Sequence, residues 1–322
     1  MKIIVTRIIP ERGLNILREA FGEEAVTVTQ QEGPIPRAEL LRIVKGADAL
    51  LPMLTERIDD ELLDTAGPQL KIVANNAVGY DNIDVPAAKR HGVIVTNTPG
   101  VLTETTADLA WTLMMAAARR VGEGERFLRG GKWTCWSPMQ LLGMDIHGAT
   151  LGIFGMGRIG QAMARRAAGF GMKVLYTDSF RMAEGAEKSL NVTYVDKDKL
   201  VRESDFISCH CPLTPDTRHA FSTAEFAAMK STAVFVNTSR GPVVDEAALA
   251  EALQSGKIFA AGIDVFEQEP KVNPALLECE NAVLIPHLGS ASVETRSRMA
   301  AIAAQNIAAC LRGEVPPNVV QG

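Results

Sequence analysis

Three polar side chains stand just past apolar runs in the second half of the chain. Arg240 lies four residues beyond Val236 in Asn237-Thr238-Ser239-Arg240-Gly241, Glu269 follows Ile263-Asp264-Val265-Phe266, and His287 follows Leu284-Ile285-Pro286. An arginine fork binds carboxylate and ketone oxygens, a histidine delivers a proton near neutral pH, and a glutamate orients and stabilises the imidazolium that results. Gathered at the carboxyl ends of strands, where doubly wound sheets hold their ligands, the three suit the reduction of a 2-keto acid. Each has an ordinary alternative. Arg240 would serve in a surface ion pair, Glu269 would end a turn before Pro270, and His287 would be a core histidine. Their joint placement favours the chemical reading. His91, His147 and His219 lack it and read as surface or capping residues.

A hydride donor is suggested upstream. Gly155-Met156-Gly157-Arg158-Ile159-Gly160 directly follows an apolar strand and opens a helical run over residues 159–168. In such a loop the first glycine permits a tight turn, the second lets backbone approach a pyrophosphate, and the third lets helix and strand pack closely. The helix N-terminus then carries the phosphates. Asp178 stands eighteen residues after Gly160, at the end of the next strand. Its carboxylate accepts bonds from ribose hydroxyls and repels a 2′-phosphate, which favours NAD over NADP. Arg181 lies close enough in sequence to compensate if Asp178 turns away, and a merely capping aspartate is the competing reading.

These residues must be positioned by an α/β framework. Strand-like runs at residues 2–5, 25–28, 49–51, 71–74 and 93–95 alternate with segments, such as 11–20 and 59–66, whose leucines recur at helical spacing. Strands alternating with helices predict a parallel sheet covered on both faces. Residues 103–119 predict a long helix with almost no polar face, buried on most sides. Residues 121–147 are weakly periodic yet carry Phe127, Trp133 and Trp136, which predicts an arm that covers a partner surface. A second α/β series has strands at 151–154, 173–176, 205–209, 233–236, 260–265 and 283–285. The final helical segment, 292–311, is expected to return to the first sheet.

Composition narrows the function. The chain has 322 residues, 47% hydrophobic and 22% charged, which is long enough for two cores. A net charge of -5 argues against nucleic-acid or anionic-membrane surfaces. Five scattered cysteines suit reduced thiols, and Cys209-His210-Cys211, though it resembles a ligand cluster, reads as buried strand-end side chains. No metal pattern is convincing. The first residues enter a strand without a signal-like region, and no apolar run reaches membrane-spanning length, so a cytoplasmic protein is expected.

The run from Gly155 to Asp178, the 237–241 loop, Gly262-Ile263-Asp264-Val265-Phe266-Glu267-Gln268-Glu269-Pro270 and Pro286-His287-Leu288-Gly289-Ser290 together resemble the D-isomer-specific 2-hydroxyacid dehydrogenases, over essentially the whole chain. Within that family the sequence looks most like glyoxylate/hydroxypyruvate reductases. The resemblance implies two doubly wound parallel-sheet domains: a discontinuous, flavodoxin-like substrate domain (1–98 and 291–322) and a Rossmann NAD(P)-binding domain (99–290), with 119–148 as a dimerisation arm and a cleft between the domains. Residues 77–84 look like the substrate-carboxylate loop, with the amides of Val78 and Gly79 taking the carboxylate. Met53, Leu54 and Trp136 would limit substrate size, Trp136 from an arm that reaches a partner subunit's active site. Arg240 would hold substrate, Glu269 would pair with His287, and His287 would donate the proton. The cofactor side would comprise Thr106, Gly155, Gly157, Arg158, Ile159, Gly160, Asp178, Ser179, Arg181, Pro212, Thr217, Thr238, Ser239, Asp264 and Gly289. The expected partners are a small 2-keto or 2-hydroxy acid and a second copy of the chain, with no nucleic acid or membrane. NADPH-using relatives carry a small or basic residue where Asp178 stands, so NAD(H) is expected, with NADP(H) as the alternative. Another D-2-hydroxyacid dehydrogenase, such as a 2-ketogluconate reductase, and a non-enzymatic NAD-sensing, corepressor-like scaffold are the rival functions. Formate oxidation fits less well, since that branch places glutamine where Glu269 stands.

Overall fold

Every strand in the molecule is parallel to its neighbours, because a helix or loop returns the chain to the same sheet edge after each one. The computed structural model describes residues 1–31 and 33–321. They form two units, residues 1–102 with 290–322, and residues 103–289.

In the first unit, β1 (Ile3–Val5), β2 (Val26–Val28), β3 (Ala49–Leu51), β4 (Ile72–Ala74) and β5 (Ile94–Thr96) assemble in the order β2-β1-β3-β4-β5. Alternate residues feed two cores. Ile4, Leu50 and Val73 enter one, and Ile3, Val5, Ala49, Leu51 and Ile72 enter the other. The helices Asp60–Ala66 and Val85–Arg90 are capped by Asp59 and Asp84, whose carboxylates accept from the Leu62 and Ala87 amides. The last helix, Val293–Leu311, lies on this sheet against the Glu11–Phe21 helix. Contact there is backbone to backbone: a methyl group at Gly13 would sit 2.7 Å from the Ala300 carbonyl oxygen.

In the second unit, β6 (Thr150–Phe154), β7 (Lys173–Thr177), β8 (Val192–Tyr194), β9 (Phe206–Cys209), β10 (Val234–Asn237), β11 (Ala260–Ile263) and β12 (Ala282–Leu284) run in the order β12-β11-β10-β9-β6-β7-β8. Phe206, Val234 and Val236 enter one core while Ile207, Cys209 and Phe235 enter the other, so both faces are covered as the sequence pattern requires. The strand β8 has no counterpart in the sequence reading, since three residues at a sheet edge give too short a pattern. Strand β11 stops at Ile263 rather than Val265: the chain turns at Asp264, whose carboxylate faces the backbone of the loop after β12. The helix Thr103–Ala118 is buried along most of its length, with Leu113 packed against Gly262. Arg120 breaks that helix at φ 52°, and an amphipathic helix, Val121–Arg129, follows where only weak periodicity was read.

Candidate active site

The order reversal of the second sheet lies between β6 and β9, and the glycine loop sits there. The three glycines divide their roles as their surroundings dictate. Gly155 has φ +98°, and a methyl group on it would lie 2.5 Å from the Cys211 amide nitrogen, so turn and packing both demand glycine. A methyl group on Gly160 would lie 2.2 Å from the Gly155 carbonyl oxygen, which is the close helix–strand approach. Around Gly157 there is open space, at ordinary negative φ. Nothing in the fold itself requires glycine there, and the open space leaves room for a ligand to approach the backbone.

The helix Arg158–Gly169 begins at this loop with no side-chain cap and no acidic residue in its first turn. Its N–H groups therefore keep their positive dipole end for an anion. Asp178, at the end of β7, accepts from the Met156 amide at 2.6 Å through one oxygen, and from Ser179 Oγ at 3.1 Å through the other. Oδ1 also accepts from the Phe180 amide at 3.4 Å, whereas Oδ2 has capacity for a further donor, such as a ribose hydroxyl. Arg181 is held away from this duty by bidentate bonds, both 2.9 Å, to Glu187. The Arg181 bonds, and a further one from Tyr176 Oη, hold the Glu187 carboxyl down at about 2. Burial, with that same Glu187 bond, pushes the Tyr176 hydroxyl up to about 12. Thr238 Oγ1 is buried without a hydrogen-bond partner, an orphan of the kind that a bound polar ligand relieves. The residues present thus fit a dinucleotide: an uncapped helix start, an open glycine, a ribose-reading carboxylate and an unsatisfied hydroxyl.

On the other side of the same sheet, β10, β11 and β12 are neighbours, and their carboxyl ends carry Arg240, Glu269 and His287. Glu269 Oε2 lies 2.8 Å from His287 Nδ1, and Glu269 Oε1 accepts from the Phe266 amide at 3.0 Å. Burial works to raise the Glu269 carboxyl, but the His287 bond, the Phe266 amide and the charge of Arg240 hold it below the ordinary carboxylate range. Glu269 is therefore ionised and fixed. Because Nδ1 is engaged, Nε2 is the imidazole nitrogen left for a substrate.

His287 itself has φ 52°, a left-handed conformation that costs a non-glycine residue about 1 kcal/mol or more. The loop is over-determined by Asp264, whose carbonyl accepts from the His287 amide at 2.8 Å and whose carboxylate accepts from Leu288 at 2.5 Å and Gly289 at 2.8 Å. Burial raises the Asp264 carboxyl to about 6, against the lowering effect of these amides. The 237–240 loop is set by Asn237, which accepts from Ser239 at nitrogen and hydroxyl and donates to the Arg240 carbonyl at 3.0 Å. Arg240 Nη1 donates to the Ser239 carbonyl at 2.7 Å. Thr106 donates to the Gly289 carbonyl at 2.9 Å, so it ties its own helix to the loop that carries His287. Thr217 Oγ1 donates to the Pro212 carbonyl at 2.7 Å, closing the turn after β9. Asn237 and the double role of Asp264 escaped the sequence reading; a side chain that bonds backbone across a loop leaves no spacing pattern.

The Cys209-His210-Cys211 run is structural, as its strand context suggested. Cys209 and Cys211 are 0% and 8% exposed, and burial pushes the Cys211 thiol up to about 12 and His210 down to about 3. His91 ends the Val85–Arg90 helix beside Asp60, whereas His219, read from the sequence as a surface or capping residue, pairs with Glu267 and donates its amide to the Pro242 carbonyl, beside the loops that carry Glu269 and Arg240.

In the first unit, residues 52–56 and 75–84 follow β3 and β4. The Met53 amide donates to Glu56 at 2.6 Å, Leu54 is 39% exposed, and Val78 and Gly79 are half-buried. Trp136 is 78% exposed. Among the described residues, no helix is long and apolar enough to cross a membrane.

Comparison with known proteins agrees with this geometry. The family "D-isomer specific 2-hydroxyacid dehydrogenase, NAD binding domain" matches residues 111–289. A glyoxylate reductase of Korarchaeum cryptofilum is 55% identical over 99% of this chain and 95% of its own. A solved protein of Thermus thermophilus superposes with TM-score 0.92 at 44% identity, covering 100% of both chains. An NADPH-dependent glyoxylate/hydroxypyruvate reductase of Sinorhizobium meliloti, solved with citrate, gives TM-score 0.82 at 34% identity over 99% of this chain and 97% of that one. With a dinucleotide loop, an arginine and a glutamate-backed histidine on neighbouring strand ends, and relatives along its full length, the chain belongs to the D-isomer specific 2-hydroxyacid dehydrogenases.

Proposed function

We propose that this protein reduces small 2-keto acids, glyoxylate and hydroxypyruvate foremost, to glycolate and D-glycerate. The observation that carries the reading is the Glu269–His287 pair at 2.8 Å, with Arg240 close enough to act on the Glu269 charge. Bound at the glycine loop, NADH supplies the hydride to C2. His287 donates its Nε2 proton to the ketone oxygen, and Glu269 keeps the imidazole in the orientation and charge state that make this possible. Arg240 binds the ketone and carboxylate oxygens, which polarises the carbonyl and lowers the cost of charge developing on oxygen. The amides of Val78 and Gly79 take the carboxylate, and Met53, Leu54 and Trp136 limit the substrate to a few carbons. The reverse oxidation uses the same residues with neutral His287 as base.

NADH is the proposed reductant, since Asp178 is placed to accept from a ribose and Arg181 is committed to Glu187. The arm at 119–148 supports a homodimer: Val121, Leu128, Trp133, Trp136, Met139 and Leu142 are each more than half exposed in the single chain. Such a cluster of apolar side chains is characteristic of a covered surface. A cytoplasmic location fits a chain without a membrane-spanning helix among its described residues. The test is NADH and NADPH absorbance with glyoxylate, hydroxypyruvate and pyruvate. Turnover of none of them, or full activity in His287→Ala, overturns the reading. Sedimentation of wild type and of Trp136→Ala tests the arm, with a monomeric wild type as the contrary result.

A further inference from the structure

The loop after β4 is held in a way that the residues assigned to substrate binding do not explain. In a trans peptide, the carbonyl of one residue and the N–H of the next point in opposite directions. Three consecutive carbonyls of this loop are captured by groups that follow β4 and β5. The Ala77 carbonyl accepts from the Thr98 amide at 2.9 Å, the Val78 carbonyl from Asn97 Nδ2 at 2.7 Å, and the Gly79 carbonyl from Asn75 Nδ2 at 2.9 Å. Asn75 follows β4, and Asn97 and Thr98 follow β5, so all three donors belong to one end of the first sheet. The N–H groups of Val78, Gly79 and Tyr80 are consequently turned away from that sheet end. None of the three donates to another group among the described residues. Three successive amides directed away from their own scaffold are donors on offer to an anion.

The two asparagines are themselves fixed. Asn75 is fully buried, its amide donates to the Thr96 carbonyl at 2.8 Å, and its side chain exchanges bonds with Asn82 at 3.1 and 3.4 Å. Asn82 in turn donates to the Met53 and Glu56 carbonyls, so the same network reaches the 52–56 loop. The Asn97 backbone is held by Asn306 and Asn318 from the C-terminal segment. A carbonyl acceptor also requires the nitrogen, not the oxygen, of each asparagine to face the loop.

We infer that Asn97 and Asn75 are positioning residues that aim the Gly79 and Tyr80 amides, beside a Val78 amide set by the Thr98 backbone, as a three-donor site for the substrate carboxylate, Tyr80 contributing the third donor through its backbone. The inference rests on the proposed 2-keto acid reductase reading. Neither asparagine touches the substrate; they act through the peptide planes. Asn97→Leu keeps the volume and removes the donor, and Asn97→Ala removes both. The measurements are KM and kcat for glyoxylate, Ki for the anionic analogue oxamate, Kd for NADH by fluorescence, and the melting temperature.

The expected result for both Asn97 variants is a rise in KM and in oxamate Ki of tenfold or more, with kcat within threefold and NADH Kd within twofold of wild type. Asn75→Ala is expected to behave likewise; should it fail to fold, the Asn97 pair decides alone. In the wild type, oxamate should shift the amide resonances of Val78, Gly79 and Tyr80 together. An unchanged KM and Ki in Asn97→Leu, a loss confined to kcat or to melting temperature, or a Tyr80 amide indifferent to oxamate overturns the inference. A wild type that turns over no keto acid overturns the underlying function instead, so the two failures are distinct.

Discussion

Replacing Glu269 by glutamine keeps the shape of the pair with His287 and removes its charge. With Oε2 and Nδ1 2.8 Å apart, the charge centres lie roughly 4 Å apart, where an ion pair is worth about 4 kcal/mol at an effective dielectric of 20. Both side chains are 28–29% exposed, so water screens part of this, leaving about 2 kcal/mol. That amount corresponds to roughly 30-fold in rate if the charge acts in the transition state. In the proposed reduction His287 gives its proton to the ketone oxygen while Glu269 faces the ring, so kcat/KM for glyoxylate in Glu269→Gln should fall about 30-fold. The assay is NADH absorbance, with NADH Kd by fluorescence as control. A fall of less than threefold in a folded, NADH-binding Glu269→Gln would refute the electrostatic argument.

The glycine loop makes paired predictions. Gly157→Ala, in open space, should leave the melting temperature unchanged and weaken NADH binding by tenfold or more, whereas Gly160→Ala should cost about 1–3 kcal/mol of stability because its methyl group meets a carbonyl oxygen. Calorimetry and NADH fluorescence separate the two, and a destabilised Gly157→Ala would show that its surroundings are not open. Arg240→Lys retains a charge but not the planar fork, so kcat/KM should fall about 100-fold, roughly 2.7 kcal/mol, with NADH Kd unaffected in fluorescence titration. Because Glu187 holds Arg181, Asp178→Ser alone should improve NADPH use only about tenfold, and adding Glu187→Gln should give about tenfold more; a full switch in the single variant contradicts the clamp. Glu269, held below the ordinary carboxylate range in the folded protein, contributes stability that is present above the unfolded-state value and is lost as pH falls through the folded one. The melting temperature should therefore fall on acidification less steeply in Glu269→Gln than in wild type.

The candidate catalytic residues were legible because each sits where a local pattern ends. An apolar run followed by a glycine triplet, an arginine, a glutamate or a histidine marks a strand's carboxyl end, and periodicity alone says that these strands are parallel. Residue order on its own therefore determined the two α/β series, the dinucleotide loop and the identity of Arg240, Glu269 and His287. Sheet order did not follow from it: that β10, β11 and β12 are neighbours, and so bring the three side chains onto adjacent strand ends, is a property of the assembled sheet. The same holds for groups that act through backbone. Asp264 gripping the 287–289 amides, Glu187 holding Arg181, and Asn75 and Asn97 holding the Gly79 and Val78 carbonyls are contacts between segments distant in sequence or across a loop. Polar side chains of this kind repeat with no period and differ in nothing from surface residues until packing fixes their partners. The glycine loop illustrates the division most clearly, since its spacing points to a phosphate site but only the packed structure shows that Gly155 and Gly160 are crowded by neighbouring backbone while Gly157 faces open space.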